Sequence, residues 1–182
     1  MSGFDYVISI GGAAGQGIAT PGNILARLFA RRGVHMYAYN AYQSIIRGGH
    51  SFLTVRCSDR EIRTHGDVID LIICLNQDTM DRHLEHLGPG TSVIFNSDTI
   101  EPGEAAEGVQ LCTMPVGEMA GTGANKLMQN TVAIAVACQL LGIEFSALED
   151  VLDFQFSAKG EELVAENVRV AKAAYEHSAA NF

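Results

Sequence analysis

The sequence predicts an α/β domain in which helices cover both faces of a mostly parallel β-sheet. Three observations favour this class. Near the N-terminus an apolar strand leads through a glycine-rich turn into a helix, and residues 70–76 form the kind of apolar run that is typical of a central strand covered on both faces. Strand-like and helix-like segments then alternate along the chain, which is the pattern of layered α/β domains. Together they indicate a three-layer, Rossmann-like domain with a hairpin insertion.

The individual elements are predicted from the periodicity of apolar residues and from glycine and proline residues that mark turns between them. Strands are predicted at residues 5–10, 34–39, 51–57, 62–64, 70–76, 92–95 and 109–113. Helices are predicted at residues 17–32, from the end of the strand at 70–76 to Leu87, and at 125–141, 145–154 and 160–180. The short strand at 62–64 is expected to pair back across a turn at 58–61, and this pair is the predicted hairpin.

Length and composition indicate a single domain over residues 1–182. The chain has 47% hydrophobic and 18% charged residues, as is usual for globular proteins with a sizeable core. Its four cysteines lie far apart without a CxxC pair, which argues against zinc and iron–sulfur sites and favours buried, reduced thiols. No signal peptide or membrane-spanning run is recognised, so we expect a cytoplasmic protein with no membrane partner.

The charge is divided unevenly along the chain. Between Tyr6 and Ser58 there are five arginines and no acidic residue, so this stretch carries +5, and the rest of the chain carries −14. The net charge of −9 argues against nucleic-acid binding, whereas the local basic half suits an anionic ligand or partner. The ordinary alternative is that Arg27, Arg31 and Arg32 only solvate the outer face and last turn of the first helix.

The glycine turn at residues 11–18 (GGAAGQGI) is the first candidate site. Glycines allow a ligand to approach the main chain, and the helix start beyond them adds a partial positive charge, so a phosphate-bearing ligand is expected. The dinucleotide fingerprint matches only in part, because Ala14 occupies a glycine position and no acidic residue follows about 20 residues later. The candidate ligand residues of this turn are Gly12, Gly15, Gln16 and Gly17.

The polar loop after the second strand is the second candidate site, since loops at the carboxyl ends of neighbouring strands converge. Arg47 is a candidate clamp for phosphate or carboxylate, with Gly48 and Gly49 as a possible anion nest. Equally, the loop is a tight turn whose arginine pairs with a carboxylate of a partner subunit. Histidines show no metal pattern, and His83 and His86 are expected on a solvated helix face; His50 is the one exception to test.

Taken together, these segments resemble a known family. A strand is followed by the turn Gly12-Ala13-Ala14-Gly15-Gln16-Gly17-Ile18, then by Tyr42-x-Ser44-x-x-Arg47-Gly48-Gly49 and Phe52-x-x-Val55-Arg56-x-Ser58. This pattern resembles the gamma subunit, or gamma domain, of 2-oxoacid:ferredoxin oxidoreductases of the pyruvate or 2-oxoglutarate type. The likeness continues at Asp67, Asp70, Asn130 and Asn167. The sequence of residues 44–50 is more similar to the gamma domain that is fused to the alpha subunit than to the separate gamma subunit.

The resemblance implies a function for the chain as one component of an assembly. Such enzymes oxidatively decarboxylate a 2-oxoacid on thiamine diphosphate with Mg, pass electrons through 4Fe-4S clusters to ferredoxin, and form an acyl-CoA. The gamma domain is associated with coenzyme A binding and subunit contacts, while the other cofactors lie in alpha and beta partner subunits or domains. The resemblance therefore implies a coenzyme A site framed by Gly12, Gly15, Gln16, Gly17, Ser44, Arg47, Gly48 and Gly49, no catalytic residue in this chain, and an oligomer.

Two other functions remain open on the sequence. The chain could be a structural interaction domain of that assembly without a ligand, and the methyl group of Ala14, where the family usually has glycine, favours this alternative. It could also be an independent nucleotide-binding oxidoreductase, which the missing ribose-binding carboxylate argues against.

Overall fold

The computed structural model describes residues 3–42, 49–121 and 126–182, apart from the side chains of residues 126 and 127, and it confirms the α/β class. Its strands are β1 Asp5–Ala13, β2 His35–Tyr42, β3 His50–Ser58, β4 Leu71–Cys74, β5 Ser92–Asn96 and β6 Gln110–Met114. Its helices are α1 Ala19–Arg31, α2 Gln77–His83, α3 Val116–Ala120, α4 Lys126–Leu140, α5 Phe145–Phe156 and α6 Glu161–Asn181. None of these described helices combines the length and apolar character that a membrane crossing requires.

The six strands form one mixed sheet in the order β2-β3-β1-β4-β5-β6. The pairs β1–β4, β4–β5 and β5–β6 are parallel, whereas β3 is antiparallel to both β1 and β2. β4 is buried at every residue, as predicted for a central strand that has helices on both faces.

Two apolar clusters form the core, one on each face of the sheet. The larger packs α1, α4, α5 and α6 against residues such as Ile10, Leu53 and Ile73. The smaller packs α2 against Ile72, Phe95 and their neighbours. Helix α4 is buried around its whole circumference from Val132 to Cys138, as its alanine-rich sequence predicts.

The predicted hairpin is wrong in position. Ile62–Thr64 forms no strand, and the antiparallel insertion is instead β2–β3, with β3 inserted between β2 and β1. The nine residues of β3 pair with β1 along its whole length, from Asp5 opposite Ser58 to Ala13 opposite His50. This long pairing extends β1 beyond its predicted end at residue 10.

The four cysteines are buried and free, in agreement with the sequence. Burial raises the pKa of Cys57, Cys74 and Cys138 to about 12 and that of Cys112 to about 11. These thiols are therefore protonated and unreactive at neutral pH, as expected of small apolar core residues.

Candidate functional site

The glycine turn lies at the carboxyl end of β1 and leads directly into α1. Two backbone hydrogen bonds tie this edge together: Ala14 N–H donates to the Gly49 carbonyl at 3.0 Å, and Leu75 N–H donates to the Gly11 carbonyl at 2.9 Å. The turn therefore touches both the start of β3 and the end of β4. The two predicted loops meet at Gly49, whereas Ser44, Arg47 and Gly48 lie outside the described residues.

Gln16 shapes the turn from within. Its amide oxygen accepts a hydrogen bond from Ala13 N–H at 2.6 Å, and its amide nitrogen donates to the Leu75 carbonyl at 3.2 Å. A methyl group added at Gly12 would lie 2.9 Å from that amide oxygen, so glycine is needed where the Gln16 side chain folds back. Gln16 and Gly12 thus fix the shape of the turn. Both ends of the Gln16 side-chain amide are hydrogen-bonded within the protein.

Helix α4 holds the other side of the turn. The Asn130 side chain is 4% exposed and donates to the Gln16 carbonyl at 3.1 Å and to the Gly17 carbonyl at 3.5 Å. Gln129 donates to the same Leu75 carbonyl that Gln16 contacts, at 3.2 Å. The turn is therefore held by two segments that are distant from it in sequence, helix α4 and Leu75 after β4.

The main-chain N–H groups are the other feature of the turn, which is exposed at Gly15. Within the described part of the chain, the N–H groups of Gly15, Gly17 and Ile18 have no hydrogen-bond partner. Gly15 and Gly17 have positive φ angles of 90° and 76°, and an added Cβ at Gly15 would meet nothing within 4 Å. The first turn of α1 contains no acidic residue. Open N–H groups at a helix start form a suitable cradle for an anion.

The structure corrects the expectation that His83 lies on a solvated face. His83 is half-buried, its ring stacks on Phe52 with 4.3 Å between centroids, and its Nε2 lies 3.0 Å from Nε2 of His50. Burial, with smaller effects of the neighbouring histidines and Arg82, lowers the pKa of His83 to about 4. The pKa of His50 is also lowered by burial, against the attraction of Asp78. His86 is exposed, as predicted.

Asp70, which lies just before β4, accepts a hydrogen bond from Val7 N–H at 2.7 Å. Asn167 in α6 accepts one from the Thr131 hydroxyl at 2.6 Å and donates to the Leu163 carbonyl at 2.8 Å. These residues stabilise the fold around the sheet and the α4–α6 pair. Among the described residues, no three His, Cys, Asp or Glu side chains are grouped so that they could hold a metal ion.

Comparison with known proteins identifies the family. Residues 7–177 match the family described as pyruvate ferredoxin/flavodoxin oxidoreductase. The chain belongs to this family. The match covers the glycine turn, β1 from its third residue, β2 to β6, helices α1 to α5 and most of α6, which confirms the resemblance drawn from the sequence motifs.

Relatives within the family are oxidoreductase subunits. Ketoisovalerate oxidoreductase subunit VorA of Methanothermobacter thermautotrophicus is 28% identical over 96% of this chain, and the chain spans only 36% of that subunit's length. 2-Oxoglutarate synthase subunit KorC of Archaeoglobus fulgidus is 27% identical over 80% of this chain and 75% of KorC.

Solved structures show the same fold. A 2-oxoglutarate:ferredoxin oxidoreductase from Magnetococcus marinus, with 2-oxoglutarate, coenzyme A and succinyl-CoA bound, superposes with a TM-score of 0.89 and 27% identity, covering 98% of this chain and 32% of that one. The gamma subunit of a keto/oxoacid ferredoxin oxidoreductase from Geobacter sulfurreducens has a TM-score of 0.75 over 96% of this chain and 99% of that one, at 24% identity. The second likeness shows the shared fold alone.

Proposed function

We propose that this domain binds coenzyme A through its glycine turn and contacts partner subunits in a 2-oxoacid:ferredoxin oxidoreductase. In that assembly the 2-oxoacid is oxidatively decarboxylated on thiamine diphosphate with Mg, electrons leave through 4Fe-4S clusters to ferredoxin, and coenzyme A accepts the acyl group. Those cofactors belong to alpha and beta partner subunits or domains. The domain itself is not catalytic.

The observation that carries the proposal is the set of N–H groups at Gly15, Gly17 and Ile18 that have no hydrogen-bond partner among the described residues. Coenzyme A carries phosphate groups, and an oxyanion accepts several N–H hydrogen bonds at once at a helix start. The turn does not have to rearrange for binding, because the Gln16 side chain already accepts from Ala13 N–H and Asn130 already donates to the carbonyls of Gln16 and Gly17. The coenzyme A in the structure from Magnetococcus marinus supports the choice of ligand.

Subunit contact is supported by β2, which is one of the two edge strands of the sheet. Its sequence, HMYAYNAY, contains no Asp, Glu, Lys, Arg or Pro, although edge strands are usually protected by charges or proline. Tyr37, Tyr39 and Tyr42 are 37%, 48% and 69% exposed, and aromatic residues are enriched in interfaces. The VorA and KorC relatives are themselves subunits.

The decisive experiment is titration of the full chain with coenzyme A by calorimetry, comparing the natural sequence with Gly15→Asp. The new carboxylate would stand at the open side of the turn and repel phosphate. We expect affinity to fall at least about tenfold, which corresponds to about 1.4 kcal/mol.

Gly33→Asp is the matched control. Gly33 lies at the opposite end of α1, also has a positive φ, 70°, and also has open space around its Cβ position. The backbone strain and the added charge are therefore similar, but the anion cradle is untouched, and affinity should stay within about twofold of the natural chain. Equal losses in both variants, or no binding by the natural chain, would contradict the proposal.

A further inference from the structure

A pair of histidines meets on the α2 side of the sheet, outside the glycine turn. His50 is the first residue of β3 and His83 is the last residue of α2, and their Nε2 atoms lie 3.0 Å apart. We propose that His50 and His83 form a binding site for a divalent transition metal ion such as Zn²⁺, Ni²⁺ or Cu²⁺. The proposal is independent of coenzyme A binding.

The distance between the two nitrogens suits a shared metal ion. Zinc–imidazole bonds are about 2.0–2.1 Å long, so two such bonds at 90–110° place their nitrogens about 2.9–3.4 Å apart. Without metal, the same contact is an N–H···N hydrogen bond in which one imidazole donates. When a metal ion replaces this hydrogen bond, each ring turns so that its Nε2 lone pair points at the ion, while the distance between the two nitrogens changes little.

Both rings are held in place by groups other than each other. Phe52 stacks on His83 at an interplanar angle of 12°, with 4.3 Å between centroids, and on His50 at 29° and 5.8 Å. These contacts limit the movement of both rings, so the two nitrogens already lie close together without an ion. A preformed pair loses little side-chain entropy on binding.

A carboxylate lies behind the first histidine. Asp78 Oδ2 is 3.5 Å from Nδ1 of His50, which favours the tautomer that carries its proton on Nδ1 and leaves the Nε2 lone pair for a metal. Asp78 also accepts two hydrogen bonds at 2.8 Å from Arg82, so the nearby guanidinium charge is largely neutralised. When a metal binds, His83 moves its own proton from Nε2 to Nδ1, and no net proton is released.

The donor set defines the class of ion. Imidazole nitrogen suits zinc, copper and nickel, whereas Mg²⁺ and Ca²⁺ prefer oxygen ligands. The described residues supply two imidazoles, and among them no third His, Cys, Asp or Glu completes a metal-binding group. Such a site is exchangeable and weaker than a structural zinc site with four protein ligands.

The test is calorimetric titration of the tag-free, full 182-residue chain with ZnCl₂ in a buffer that does not chelate metal. Variants His50→Gln and His83→Gln keep a polar side chain of similar size, and each should weaken zinc binding at least about tenfold. Asp78→Asn should weaken it about tenfold through the loss of the outer carboxylate. His86→Ala is the matched control, because His86 lies on the same short segment but is exposed, and affinity should change less than twofold.

A second readout distinguishes this site from adventitious surface binding. Zinc should raise the melting temperature of the natural chain and of His86→Ala, and this rise should be absent in His50→Gln and His83→Gln. The proposal is overturned if the natural chain binds no zinc, if both glutamine variants bind it as tightly as the natural chain, or if His86→Ala loses as much affinity as they do.

Discussion

Asn130 is the residue that links the buried helix α4 to the glycine turn. It is a buried polar side chain 113 residues from Gly17 in sequence, and its amide nitrogen donates to the carbonyls of both Gln16 and Gly17. There is no space for a Cβ at Gly17 without crowding that amide, which would lie 3.2 Å away. Asn130 therefore acts as a positioning residue for the N–H groups of the turn.

Replacement of Asn130 by alanine should separate this role from general stability. The variant leaves buried carbonyls without a donor, so the free energy of unfolding should fall by about 1–3 kcal/mol. The turn should also lose its fixed shape, and coenzyme A affinity should fall about tenfold. Urea unfolding and calorimetry measure the two effects.

Asn167→Ala provides the control, because Asn167 is also buried and bonds Thr131, the neighbour of Asn130, but does not touch the turn. It should lose comparable stability and keep its coenzyme A affinity. If both variants lose affinity equally, Asn130 is only a stabilising residue of the helix pair.

Individual residues also show which features of the site can be predicted from the sequence and which cannot. The glycine turn could be predicted because its glycines lie next to one another between a strand and a helix. Asn130 carries a signal, since an amide in a helix predicted to be largely buried requires a partner, but that partner cannot be derived without the tertiary structure. His83 was misjudged because Arg82 and Glu85 beside it indicated solvent, whereas α2 is short and its last residue packs on Phe52.

At the scale of elements, the order of the strands in the sheet depends on pairing that the sequence does not specify locally. Strands β4 and β5 were predicted correctly because burial on both faces leaves a local apolar run. The antiparallel position of β3 between β2 and β1 depends on contacts between residues about 45 positions apart, such as the hydroxyls of Ser9 and Thr54 at 3.2 Å. No local pattern specifies such a partner, so the hairpin was placed at the nearest turn instead.

The β1–β3 pair ends in an ion pair that gives a prediction for pH. Arg56 donates two hydrogen bonds of 2.8 Å to Asp5 and also contacts Thr64 in the connection to β4. Hydrogen bonding from Arg56 lowers the pKa of the Asp5 carboxyl below its ordinary value. A carboxyl whose folded-state pKa is depressed stabilises the fold above its unfolded pKa, and this stabilisation is lost as the pH falls through the folded value.

Asp5→Asn should therefore lower the urea midpoint at pH 7, and the difference from the natural chain should shrink as the pH falls below about 4. Glu61→Gln is the control, because Glu61 pairs with Arg63 on the exposed connection without touching β1 or β3. That exposed pair should change the midpoint little at either pH. A difference for Asp5→Asn that is independent of pH would show that its charge is not the stabilising feature.

At the scale of the whole molecule, charge is unevenly distributed around the fold. The stretch without acidic residues becomes β1, α1, β2 and β3, and one of its five arginines, Arg56, is neutralised by Asp5. Arg27 stacks on the ring of Phe154 at 4.5 Å from its centroid, while Arg31 lies in the exposed last turn of α1. Arg31 and Arg56 therefore lie away from the glycine turn, at the far end of α1 and beside Asp5 at the start of β1, in a protein of net charge −9.

The main-chain N–H groups of the turn predict how coenzyme A binding depends on salt and on the number of phosphates. If the turn attracts phosphate, affinity should decrease steadily as NaCl is raised from about 0.05 to 0.5 M, because the Debye length shortens from more than 10 Å to a few ångströms. Dephospho-coenzyme A, which lacks one phosphate, should bind more weakly at low salt and show a shallower salt dependence. Calorimetry of both ligands at three salt concentrations measures this.

Gly15→Asp serves as the internal comparison, because it should remove the difference between the two ligands as well as most of the affinity. The pantetheine arm is identical in the two ligands, so a contact through that arm would give equal affinities with no salt dependence. That result would leave the chain able to bind coenzyme A and would still contradict the role assigned to the turn, since three open N–H groups at a helix start recognise charge and not an apolar arm.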